Sequence, residues 1–133
     1  GERVFFHPKG PRCSSCHSLG GRGGVVGPDL STVGRLEPGK LLDSIFEPSK
    51  EIAPQFTTWV LVTGKGPHTG LLLADDPDGS LRLAAAGGQV VKIRPEEVLR
   101  RQPQNTSLMP GNLHELMTLK ELADLVAFLK SAR

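Results

Sequence analysis

Cys13-Ser14-Ser15-Cys16-His17 holds both cysteines of the chain and places a histidine directly after the second. On a helical turn, positions i, i+3 and i+4 share one face, so the two thiols and the imidazole point the same way. This is the spacing of c-type haem attachment: two sulfurs bond the vinyl groups on one porphyrin edge while the imidazole reaches the iron from below. A Cys-x-x-Cys pair also occurs as a redox dithiol and as half of a zinc site. A structural zinc takes four Cys or His ligands, and the other histidines, His7, His68 and His114, show no finger-like pairing. A dithiol centre needs an α/β scaffold, whereas Cys13 is flanked by Gly, Pro and polar residues.

Far down the chain, Ser107-Leu108-Met109-Pro110-Gly111 sets a thioether in a loop whose backbone Pro110 fixes. His and Met together hold iron in electron-transfer cytochromes and raise its potential. Met109 is the better axial candidate of the two methionines, with Met117 and His114 in reserve. Its structural alternative is a gap-filling core residue.

Cys-x-x-Cys-His, Gly27-Pro28-Asp29-Leu30, the stretch Leu42-Asp43-Ser44-Ile45-Phe46-Glu47-Pro48-Ser49-Lys50, Ser107-Leu108-Met109-Pro110 and a closing amphipathic helix together resemble class I cytochrome c over nearly the whole chain. More narrowly, the sequence resembles the haem-binding cytochrome c domain abundant in planctomycetes, whose members carry an insertion before the methionine loop and often end larger proteins. The resemblance implies a mainly α fold, the class I cytochrome c fold with an inserted small β meander or open barrel. It also implies one haem c, covalent through Cys13 and Cys16, with its iron between His17 and Met109. The Pro28 carbonyl would then accept the hydrogen bond of the proximal imidazole, fixing its tautomer. Leu30 would press on the macrocycle beside it.

The 133 residues suit one domain, read as residues 1–51 carrying haem attachment, a β-rich insertion over 52–102, and 103–133 with the Met loop and last helix. Lys and Arg exceed Asp and Glu by two and are scattered, which gives no electrostatic case for nucleic acid. No apolar run reaches the length of a membrane span. The first residue is Gly1 and no signal peptide is present, which reads as a mature or excised domain. The resemblance implies export, to the periplasm or otherwise.

In chain order, Gly1 to Phe6 reads as the end of a helix whose Val4 and Phe5 or Phe6 face inward, and His7 as surface. Gly20 to Gly24 reads as a loop, close to a flat ligand or simply flexible. Arg22 and Arg35 are candidate propionate partners that also read as solvent-exposed. A helix runs from Pro38 to Pro48 with Leu41, Leu42, Ile45 and Phe46 on one face. Runs at 56–63, 69–74, 80–84 and 89–93 read as strands, and Glu96 to Arg101 as a fifth strand or a helical turn. The insertion serves as a lid over the haem edge or, through a sheet edge or Trp59, as a docking face. Thr118-Leu119-Lys120-Glu121 is a capping box, followed by a stripe of Leu122, Leu125, Val126 and Leu129; the resemblance implies that this last helix crosses the first, so that the stripe meets Val4 and Phe5.

A His and Met pair leaves iron no open position, so the expected function is electron transfer rather than enzymatic turnover. The partner is a redox protein or a fused dehydrogenase domain. The alternatives are a gas-sensing or catalytic haem with a labile or absent Met109, and an interaction module whose haem is structural.

Overall fold

Five residues are too few for an independent helix, yet Glu2–Phe6 forms one, α1, in the computed structural model, which describes residues 1–73 and 76–133. Its order comes from packing. Phe5 is fully buried, with its ring centroid 6.0 Å from that of Phe128 in the last helix, α3 (Leu119–Ser131). Burial of such a ring stabilises by about 1.5–3 kcal/mol. Val4 is half-buried.

The capping box that opens α3 is formed: the Glu121 N–H donates to Thr118 Oγ1 at 3.1 Å and the Thr118 N–H to Glu121 Oε1 at 2.9 Å. Within the helix Leu125 and Leu129 are buried, four residues apart on one face. Lys130, near the C-terminus of α3, donates its ammonium to the carbonyls of Gly34 (2.9 Å) and Leu36 (2.6 Å), and the Gly34 N–H returns to Ala132 O at 2.6 Å. The helix α2 (Pro38–Phe46) has Pro38 in its first turn and buries Leu41 and Ile45, while Leu42 and Phe46 stay partly exposed.

The chain divides into two compact units, one of Gly1–Lys50 with Pro110–Arg133 and one of Glu51–Met109. The first holds α1, α2 and α3, together with a two-residue hairpin of β1 (Ser18–Leu19) and β2 (Arg22–Gly23). The second is a five-stranded antiparallel sheet. Its strands are β3 (Thr58–Thr63), β4 (Gly66–Leu72), β5 (Leu81–Ala84), β6 (Val90–Ile93) and β7 (Val98–Pro103), in the order β6-β5-β4-β3-β7. Of the run read at 69–74, Ala74 lies outside the described residues, as does Asp75 of the following turn. Glu96 to Arg101 divides between both readings, a 3-10 turn at Pro95–Glu97 leading into β7.

The two edge strands, β6 and β7, follow one another in sequence with only residues 94–97 between them. Flat, their separation would be four strand spacings, about 19 Å, which that link spans only when fully extended. It contains the 3-10 turn, so the sheet curls on itself. Leu61, Leu83 and Ile93 are buried inside the curl, with Trp59, Leu72 and Val98 packed against them. Pro67 sits where β4 faces β3 but not β5, which pairs only at Leu71 and Leu72, so its missing N–H interrupts no second ladder.

The expectation of a mainly α fold is therefore corrected. Helical residues make up 33% and strand 24%, and the largest single assembly is the five-stranded sheet. Much of the helical content is in short 3-10 turns, and β7 adds a fifth strand closing against β3.

Candidate haem-attachment site

Cys13 opens a 3-10 turn, Cys13–Ser15, entered through Arg12 in the left-handed region (φ 53°). The Arg12 carbonyl takes the N–H of Ser15 (3.0 Å) and its hydroxyl (2.7 Å). The next bonds, Cys16 N–H and His17 N–H both to Cys13 O at 3.3 and 3.0 Å, keep the chain helical through the motif. The i, i+3, i+4 relation of Cys13, Cys16 and His17 is thus realised on one turn.

Directly after His17 the chain forms a hairpin rather than the expected loop. Gly20 and Gly21 both take positive φ (61° and 80°), the requirement of a two-residue turn of the hairpin type. Ser18 then pairs with Gly23 and Leu19 with Arg22. The returning chain is laced to the motif by Gly27 N–H to Cys16 O and Leu30 N–H to Ser18 O, each 2.8 Å. Asp29 completes the brace, accepting from the Ser18 hydroxyl (2.6 Å) and the Ser31 N–H (2.8 Å). The Ser18 hydroxyl, and then Ser31, hold its carboxyl below the ordinary carboxylate range.

This brace sets the imidazole. His17 Nδ1 lies 2.8 Å from Pro28 O, so in the neutral ring Nδ1 donates its proton and Nε2 carries the free lone pair. A Cβ on Gly27 would stand 2.7 Å from His17 Cε1, so glycine there lets the backbone lie against the ring. Burial pulls the His17 pKa down and so favours the neutral, ligating form, opposed in part by the hydrogen bond to the Pro28 carbonyl. The Cys13 thiol is pushed up to about 11, chiefly by burial, against a backbone hydrogen bond and with the adjacent Cys16 adding to the rise. Neither cysteine is in a disulfide.

These donors fit haem attached through its vinyl groups: two thiols on one turn, and beside them an imidazole whose tautomer is fixed with Nε2 to spare. The zinc reading lacks ligands, since no three His, Cys, Asp or Glu side chains gather among the described residues. Leu30 is half-buried in the same unit. Met109 is half-buried at the end of the other unit, its N–H donated to Ser107 Oγ at 3.1 Å.

The reserve ligand His114 stacks on Phe46, centroids 4.5 Å apart and planes 25° apart, and its Nδ1 is buried with no hydrogen-bond partner among the described residues. Arg22 is committed elsewhere, over the Phe6 ring at 4.0 Å and 3.4 Å from Glu2; Arg35 is exposed. Trp59 packs on its own sheet's core beneath the Arg101 guanidinium, 5.0 Å from the ring centroid. Sequence reasoning quoted Asp29 and Gly27 within the Gly27-Pro28-Asp29-Leu30 motif but gave neither a role. Asp29-Leu30-Ser31 is an Asp-x-Ser turn signature that points to the first; only the close approach in three dimensions reveals the second.

The family model for cytochrome c matches residues 1–76, more than half of the chain, and the chain belongs to the cytochrome c family. No curated protein matches the sequence. As a cytochrome c the chain binds haem c covalently through Cys13 and Cys16 and serves electron transfer. No helix among the described residues is long and apolar enough to cross a membrane.

Proposed function

We propose that the chain is a single-haem electron carrier whose iron is held between His17 and Met109, working in the periplasm or another exported setting. The observation that carries this reading is the 2.8 Å contact of His17 Nδ1 with Pro28 O, which reserves Nε2 for a metal. Such a bond from the neighbouring shell orients the ring and raises its basicity.

The bound haem supplies a one-electron couple. The remaining work falls to the protein. Cys13 and Cys16 fix the porphyrin edge, the brace of Ser18, Asp29 and Ser31 holds the imidazole in one orientation, and Leu30 covers the macrocycle. Met109 is the second ligand in this reading, supported by its Pro110-anchored loop and the Ser107 hydrogen bond; residue 109 lies beyond the span matched by the family model. Two strong ligands held in both oxidation states keep reorganisation small. We take the segment 52–102 as an insertion between the haem-attachment part and the Met loop, and the electron partner as a redox protein or a fused dehydrogenase.

The ferric protein should show the weak far-red thioether-to-iron band. Met109→Ala should abolish it, and the reduced variant should gain carbon monoxide binding. A wild-type protein lacking the band and already binding carbon monoxide would replace this reading with a gas-sensing or catalytic haem.

A further inference from the structure

The strand β7 is an open edge of the sheet: it pairs with β3 on one side and, among the described residues, with no strand on the other. The Gln104 N–H donates to Thr58 O at 2.8 Å, and the register runs on from that pair through Val60 with Gln102 and Val62 with Arg100. Hydrogen-bonded pairs alternate along an antiparallel ladder, so the backbone N–H and C=O of Arg101 point away from β3, while Pro103 offers only a carbonyl on that side. The register shifts between Val62 and Thr63, which leaves Leu99 opposite no residue of β3. Leu99 is 73% exposed. Arg100 and Arg101 beside it are exposed and form no ion pair among the described residues, the Arg101 guanidinium lying 5.0 Å from the Trp59 ring centroid. Arg82, Lys92 and Arg94 of the same unit are each held by a carboxylate instead. Leu99 lies about 17 Å along the strand from Gln104, where the chain leaves the sheet, in the unit that contains neither attachment cysteine nor His17.

We propose that the open edge of β7 takes up an extended segment of a partner protein as a sixth strand, with two adjacent carboxylates beside Arg100 and Arg101 and an apolar side chain on Leu99. In strand addition the main chain supplies the bonding and the side chains the choice of partner. Successive residues of a strand face opposite ways, so Arg100 and Arg101 each meet one of two consecutive acids on the added strand. Opposite charges across a sheet stabilise the pairing and like charges weaken it. That selects an acidic segment and rejects a second copy of this chain, which on the same edge would set arginine against arginine. The bulge and Pro103 are devices that shorten a free edge, and they confine the pairing to residues 99–102. Protection of the edge from self-pairing accounts for the charges, but not for a leucine left exposed between the bulge and the arginines. The inference concerns the sheet unit and does not depend on what the haem does.

The test titrates the haem-loaded full chain into a fluorescent decapeptide of alternating Thr and Val with two adjacent Glu at its centre, followed by anisotropy at low salt. Binding should slow amide exchange at Arg101, and should weaken at least about tenfold in Arg100→Glu/Arg101→Glu and about threefold in Leu99→Ser. The double variant, its fold checked by circular dichroism, should instead bind the same peptide carrying two Lys in place of the two Glu. A Pro placed beside the acids of the peptide should abolish binding to wild type, because proline removes a donor from the added strand. Arg3→Glu, in α1, should leave binding unchanged. No binding by wild type, equal binding of the Pro-containing peptide, unchanged exchange at Arg101, refusal of the Lys peptide by the folded double variant, or dimers of the chain paired through this edge would overturn the proposal.

Discussion

His17 Nδ1 and the Pro28 carbonyl oxygen stand 2.8 Å apart across eleven residues, and Gly27 lies flat against the same ring. The contact exists because glycine leaves room for it. Gly27→Ala places a methyl 2.7 Å from Cε1, so ring or backbone must move. Overpacking of this kind costs about 1–3 kcal/mol. Guanidinium unfolding followed by circular dichroism should show that loss, together with a shifted reduction potential; an unchanged potential and midpoint would remove Gly27 from the account.

The α1–α3 contact turns on Phe5. Phe5→Ala should lower stability by about 3–5 kcal/mol, the range for emptying a buried aromatic site. Thr118→Ala, which removes one cap acceptor of α3, should cost about 1 kcal/mol. Thermal unfolding distinguishes the two, and a Phe5 effect no larger than that of the cap would mean the short helix is held by something else.

Asp29 makes acid stability directional. Its folded pKa lies below its unfolded one because the Ser18 hydroxyl and then Ser31 bond the carboxylate. The unfolded chain therefore takes up the proton first as pH falls, near the ordinary value of about 3.9. The contribution is fully present above that value and is lost as pH falls through the folded pKa. The stability of wild type minus that of Asp29→Asn should be positive and level above about pH 5 and shrink below about pH 4. A difference that stays level into acid would contradict this.

Lys130 holds the turn at residues 33–35 to the last helix through the carbonyls of Gly34 and Leu36. Lys130→Met should cost about 1.5–3 kcal/mol, the range for hydrogen bonds to a charged group. It should also speed amide exchange at Gly34, whose N–H bonds Ala132. Unchanged exchange at Gly34 would separate the two sets of bonds.

The attachment turn and the cap of α3 were legible because each depends on neighbours in sequence, while the α1–α3 contact joins opposite ends of the chain and was implied by the family resemblance. Cys13 to His17 needs only helical spacing, and Thr118 and Glu121 need only three residues between them. The overall balance of α and β was not. Neither the closure of β7 on β3 nor the curl of the sheet is encoded locally; both depend on a four-residue link between opposite edges. Gly20 and Gly21 read equally as a loop until their paired positive φ angles make them a hairpin turn. Lys130 gave no signal at all, since its partners lie more than ninety residues away.

The most direct measurement is the intact mass of the chain, denatured, after expression in a host able to attach haem. The account predicts the polypeptide mass plus one haem, reduced to the bare polypeptide when Cys13 and Cys16 are both changed to Ser. A wild-type chain at its bare mass from that host would contradict it.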